Sequence, residues 1–237
     1  MIPVPYDVET FCHRTGWPAT PVTPRSPWPS ELLAFAAFCE HERIDLILES
    51  GTYHGHFSFV MSAAVPDATI VTIESDPAIA DVARLRLAAC PQVHVRVGDG
   101  RTLLPGIAKD ASGRVGVFLD GPKSLDAVAL ATRLIGFPRV RFVACHDMYQ
   151  SVPGMSVMGR AALEEFGRYE RDICCWATDD PEWVAATRHL DVDLEQHQTE
   201  SHQSGWKPYT HIIHGQPTSA KSYGPTMTFL YRAENDQ

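Results

Sequence analysis

Five short apolar, β-branched runs, at 44–48, 69–73, 93–97, 115–119 and 140–144, recur about every 21–25 residues along the chain. Between them lie stretches of helical spacing, such as Ile79, Val82, Ala83 and Leu87 after the cap-like pair Asp76-Pro77. A strand that is apolar at successive positions, rather than alternating, is covered on both faces. Strands of that kind joined through amphipathic helices form a parallel sheet between two helical layers. The repeat is a βα unit with no recurring sequence motif, so a solenoid is excluded. The fold class is α/β, a doubly wound, mostly parallel sheet with helices on both faces.

The rhythm breaks beyond Tyr149. The pattern predicts a helix over Met155–Tyr169, a strand over Ile173–Ala177 and a helix from Pro181 to about Leu190. A polar loop at 195–208 and two closing strands, Tyr209–Ile213 and Thr226–Tyr231, complete the chain. Upstream, prolines at 18, 21, 24, 27 and 29 exclude helix and central strand and predict an extended arm, after which Ser30 caps a helix running to about Glu40. With no boundary evident, residues 1–237 read as one domain. It comprises an arm over 1–30, a ligand-binding core over 44–150, and C-terminal strands and substrate-side elements over 151–237. The arm and the 195–208 loop are expected to close over the ligand.

Lys plus Arg number 20 against 29 for Asp plus Glu, a net charge of −9, which argues against nucleic acid or an anionic membrane as the main partner. No apolar run reaches the length of a bilayer span. The six cysteines form no CxxC pair, and the first residues carry neither a basic region nor an apolar run. The expectation is therefore a cytoplasmic protein with reduced thiols. A homo-oligomer stays compatible with all of this.

The five strands end at or beside Glu49, Glu74, Asp99, Asp120 and Asp147. Ligands of open parallel sheets bind outside the carboxyl ends of the strands, so these acids share one rim. Each alone is an ordinary helix cap. Together they repel a pyrophosphate and suit a ligand carrying a sulfonium, an ammonium and a ribose diol. The loop Gly51-Thr52-Tyr53-His54-Gly55 lets the backbone turn sharply ahead of a helix N-terminus, and lacks the GxGxxG spacing of a dinucleotide site.

Three segments in order, Leu48-Glu49-x-Gly51-x-Tyr53-x-Gly55, Thr72-Ile73-Glu74-x-x-Pro77 and Phe118-Leu119-Asp120-x-x-Lys123, resemble the class I S-adenosylmethionine-dependent methyltransferases. Within them the chain is most similar to the catechol O-methyltransferase type and its bacterial small-molecule relatives, over roughly residues 44–150. The resemblance implies a Rossmann-like methyltransferase fold. It implies Glu49, Gly51, Tyr53 and Gly55 around the methionine part of S-adenosylmethionine, Glu74 on the ribose diol, Asp99 beside adenine and Asp120 near the reacting methyl. The family's cofactor-holding serine stands two residues after the second glycine; here Phe57 is there and Ser58 follows. The family's acid-amide pair after the fifth strand is His146-Asp147, and Gly121 follows the fourth-strand acid.

Methyl transfer requires alignment of a nucleophile with the methyl group and management of the nucleophile's proton. Asp120, His146 and Asp147 form a candidate ligand set for Mg²⁺ or another divalent metal that acidifies an acceptor hydroxyl. Equally, His146 is a general base oriented by a carboxylate, with no metal. Lys123 is a second candidate base, should its pKa be depressed. The expectation is an enzyme, a methyltransferase acting on a small molecule through oxygen. Transfer to N or C, other chemistry with the same cofactor, and a nucleotide-binding or interaction module without turnover stay open.

Overall fold

The computed structural model describes residues 2–17, 27–148, 155–191, 212–213, 216–217 and 227–233. Strands β1 (Leu46–Ser50), β2 (Thr69–Glu74), β3 (Val93–Val97), β4 (Val115–Leu119) and β5 (Val140–Cys145) alternate with helices α3 (His56–Ala64), α4 (Pro77–Arg86), α5 (Gly100–Asp110) and α6 (Ser124–Ile135). Before them come α1 (Val8–Thr15) and α2 (Pro29–Glu42), and after them α7 (Met155–Tyr169), β6 (Ile173–Ala177) and α8 (Pro181–Thr187) with a 3₁₀ turn at Arg188–Leu190. Three short C-terminal strands follow, β7 (Ile212–Ile213), β8 (Gln216–Pro217) and β9 (Thr228–Arg232).

Seven strands form one sheet in the order β3-β2-β1-β4-β5-β9-β6. Only β9 runs antiparallel, slotted between β5 and β6. Strand order reverses between β1 and β4, which places a crevice at their carboxyl ends. Alternate residues of the central strands serve opposite faces: Ile47 joins the layer of α2 and α3, and Leu48 the layer of α5 and α6. Phe35 and Phe38 of α2 pack on Phe142 and Phe229, and each such buried ring contributes roughly 1.5–3 kcal/mol.

The expected α/β architecture is present, with local departures. The first strand covers 46–50 rather than 44–48, because Arg43 ends α2 in the left-handed region and the Ile44 amide still bonds Cys39. Helix α2 starts at Pro29, not at a Ser30 cap. Its amide at Trp28 donates to Glu31 Oε2 at 2.8 Å, while Ser30 is buried and bonds Asp191 at 2.6 Å through its hydroxyl. The N-terminal arm contains α1, capped by Asp7 and tied to α2 by an Arg14–Glu40 ion pair. That helix is only eight residues long and buries Phe11 alone, too little to print a periodic pattern. Of the closing strands, β7 pairs with β8, and β9 enters the main sheet. The expected arm residues 18–26 and the loop 195–208 lie outside the described residues.

Candidate functional site

The crevice is built first from backbone. Asp120 and Gly121 amides both donate to Ser50 O, at 2.9 and 3.0 Å, locking the end of β4 to the end of β1. Gly51 turns there with φ of 93°, and a Cβ on it would stand 3.0 Å from Gly121 N. Gly55, at φ 78°, precedes α3, and a Cβ there would meet Leu87 at 2.8 Å. Gly51 therefore requires glycine for conformation and for space, and Gly55 favours it for its left-handed conformation. Between them Tyr53 takes φ of 47° and donates its amide to Glu74 Oε2 at 2.8 Å.

Glu74 is thus a clamp on this loop, its other oxygen accepting from the Asp76 amide at 3.0 Å. Oε1 also accepts from the Ser75 hydroxyl at 3.3 Å, a contact a ribose hydroxyl could replace, while Oε2 keeps a second lone pair beside the Tyr53 amide. Glu49 is 1% exposed and accepts from the hydroxyl of Ser58, which is itself fully buried. Burial pushes the Glu49 carboxyl up from 4.5 to about 7 against the hydrogen bonds of Ser58 and Thr72, with the charges of Asp120 and Glu74 adding to the rise. A raised acid binds its proton more tightly folded than unfolded. Its contribution is therefore fully present below pH 4.5 and lost as pH rises through about 7, on the order of 3 kcal/mol in all. Glu49→Gln should remove this share of the dependence, read as urea midpoints that fall less between pH 5 and pH 8 than those of the unaltered protein.

Asp99 sits differently. It caps α5 through the Arg101 amide at 2.9 Å and pairs with the Arg101 guanidinium at 2.8 Å, on an exposed surface. Hydrogen bonds from Arg101 hold its carboxyl below the usual range.

At the ends of β4 and β5 the charges interlock. Lys123, at the N-cap of α6, places Nζ on Asp120 and 2.7 Å from Asp147 Oδ2. His146 is buried, with Nδ1 2.8 Å from Asp120 Oδ1 and Nε2 3.2 Å from Glu31 Oε2. Burial would lower the imidazole, but the charges of Asp147, Glu31 and Asp120 outweigh it and hold His146 well above its ordinary value. Burial likewise disfavours the Lys123 ammonium, and Asp120 and Asp147 reverse that and raise it. Asp120 is held well below the carboxylate range, burial being overcome by His146 and Lys123. Two carboxylates face the Lys123 ammonium and raise it, which favours the cation over a resting base in this arrangement. The same geometry favours the imidazolium form of His146, whose two ring nitrogens each face a carboxylate.

Comparison with solved structures turns on this sheet and crevice. An O-methyltransferase from Streptomyces achromogenes, TomG, involved in tomaymycin synthesis and solved with S-adenosylmethionine, superposes with a TM-score of 0.56 at 16% identity, covering 97% of this chain and 91% of that one. An O-methyltransferase from Bacillus cereus, solved with S-adenosylhomocysteine, gives 0.57 at 14% identity, over 97% and 92%. The chain has the methyltransferase fold. No family model matches the sequence, and no curated protein does.

On this methyltransferase fold, Glu49, Gly51, Tyr53, Gly55, Glu74 and Asp120 gather around the crevice at the ends of β1, β2 and β4. Asp99 lies at the end of the neighbouring β3, turned to Arg101. Ser58 points to Glu49. Asp120, His146 and Asp147 bring one donor atom each within 4.8 Å of one another. Two carboxylates and one imidazole, with Glu31 behind the ring, suit a divalent cation in donor chemistry. Loading it would require Lys123 to leave the carboxylates and His146 to lose its Nδ1 proton. The residue that sequence reading missed is Glu31, 0% exposed in the first turn of α2. Its only trace in the sequence is Trp28-x-x-Glu31, a helix-start spacing that says nothing of a histidine 115 residues away.

Proposed function

We propose that this protein is an S-adenosylmethionine-dependent methyltransferase acting on a hydroxyl of a small molecule. The observation that carries the reading is the crevice where strand order reverses. There Glu49, Glu74 and Asp120 stand around a glycine-turned loop on a fold shared with O-methyltransferases solved with this cofactor or its product. Three carboxylates there favour a cationic ligand with a diol over a pyrophosphate. That TomG is an O-methyltransferase of a biosynthetic route supports an oxygen acceptor of small size.

When bound, the cofactor supplies an electrophilic methyl group and a neutral thioether as leaving group. The protein's share follows from its charges. Lys123 Nζ, held by Asp120 and Asp147, donates to the acceptor oxygen as that oxygen gives up its proton. Partly exposed Asp147 accepts that proton and passes it to solvent. Buried His146 keeps Asp120 ionised and its orientation fixed. A divalent cation, if used, would be held by Asp120, His146 and Asp147 and would polarise the same oxygen.

The binding half is tested by calorimetry. The protein should bind S-adenosylhomocysteine, and Glu74→Ala should weaken it by about 1–3 kcal/mol, the value of charge-assisted hydrogen bonds to the ribose. No binding by the unaltered protein, or tighter binding of NAD, rejects the cofactor.

A further inference from the structure

The amino-acid end of S-adenosylmethionine carries a carboxylate as well as an ammonium, and the acids at the rim answer only the cation. In related methyltransferases the resemblance puts a serine on this carboxylate. Here the position holds Phe57, 3% exposed and stacked on Phe118 at 3.9 Å, while the next residue, Ser58, is spent on Glu49. A different anchor is needed if the cofactor reading holds.

Three observations converge on one place. Glu49, Asp120, His56 and Arg86 line one pocket. Helix α3 begins at His56 behind Gly55, an N-cap with no side-chain hydrogen bond, so its first amides have no side-chain acceptor. Arg86, the last residue of α4, reaches the same helix start with its guanidinium 3.3 Å from His56 Nδ1 and 5.8 Å from the Phe59 ring centre. It makes no ion pair with any described residue. An arginine without an acid beside a cluster of acids is a cation kept for something else.

His56 adds the independent sign. It is 8% exposed, its Nδ1 faces the Arg86 guanidinium, and its buried Nε2 has no hydrogen-bond partner among the described residues. Burial, helped by Arg86, pushes its pKa down to about 4, so the ring is neutral and available as donor or acceptor.

We propose that Arg86, with His56 and the N-terminus of α3, binds the α-carboxylate of the cofactor in place of the missing serine. The pocket then presents acids to the ammonium and sulfonium and a guanidinium to the carboxylate. This rests on the cofactor reading, and the consequence is selectivity: ligands that keep the carboxylate are favoured over the same nucleoside without it.

The experiment compares S-adenosylhomocysteine with 5′-methylthioadenosine, which retains the nucleoside and thioether but lacks the amino acid, on the unaltered protein and on Arg86→Gln. The variant should bind S-adenosylhomocysteine about 10- to 100-fold more weakly, the range of a lost charge-assisted hydrogen bond, and 5′-methylthioadenosine within about twofold of the unaltered protein. If the unaltered protein binds neither ligand, the cofactor reading itself fails. If it binds S-adenosylhomocysteine and the variant binds it as tightly, or loses both ligands equally, the cofactor stands and the Arg86 anchor is overturned. Should Arg86→Gln not fold, the methyl ester of S-adenosylhomocysteine decides on the unaltered protein. A loss of tenfold or more supports a charged anchor, and equal affinity rejects it.

Discussion

Lys123→Ala should lower turnover about 10²- to 10³-fold while leaving affinity for S-adenosylhomocysteine within about threefold, the size expected when a preorganised donor to a developing oxyanion is removed. The ammonium lies between Asp120 and Asp147, at 2.7 Å from the latter, and both carboxylates keep it charged. A cation in that position stabilises an acceptor oxygen as its proton leaves. It is not a base waiting to take that proton. The two roles separate in the pH profile of kcat/KM, measured on a hydroxylated aromatic acceptor found by screening for S-adenosylhomocysteine release. A charged Lys123 contributes no ascending limb below pH 8, whereas a base would contribute one that disappears in the variant. Chelator treatment with Mg²⁺ or Mn²⁺ add-back belongs to the same experiment. Activity that survives chelation assigns the polarising charge to Lys123. Activity lost and restored by the ion assigns it to a metal on Asp120, His146 and Asp147. Full activity in Lys123→Ala would remove this residue from the mechanism.

Glu31→Ala should destabilise the protein by about 3–5 kcal/mol, the range for deleting one partner of a buried ion pair. The carboxylate is 0% exposed, faces His146 Nε2 at 3.2 Å and accepts the Trp28 amide at 2.8 Å. Its removal strands both a buried ring nitrogen and the Trp28 amide at the N-cap of α2. Glu31→Gln keeps an acceptor for each and should cost clearly less. Urea unfolding at pH 7 measures both, and a Glu31→Ala loss below about 1 kcal/mol would show that the pair contributes nothing net. The same variant reports on the site, because Glu31 connects the helical layer to the residue that keeps Asp120 ionised.

Much of this arrangement was legible before any coordinates. Apolar runs of five residues, such as Val115–Leu119 buried at every position, can only be central strands of a two-faced sheet. Asp76-Pro77 carries its own helix start and caps as expected, with Asp76 accepting from Ala78, and the helix expected from Pro181 begins there behind Asp180. Gly51 and Gly55 were legible for the same reason: a local backbone conformation writes itself into the residue that can adopt it. Positions of the rim acids followed, since an acid at a strand end is placed by chain direction alone.

Protonation states and partners were not legible, because they depend on charges brought from distant segments. Lys123 by sequence could be base or cation, and only its place between Asp120 and Asp147 decides for the cation. His146 acquires its second carboxylate from α2, and Arg86 comes to the start of α3 from the far end of α4. The insertion of β9 between β5 and β6 is likewise a long-range choice, made by an edge that another strand could satisfy. The sequence by itself determined the α/β architecture and the rim of acids, because backbone geometry and strand polarity are local. The tertiary structure alone decided which acids are occupied, which cations are free and where Glu31 sits, because electrostatic pairing depends on distance in space and not along the chain.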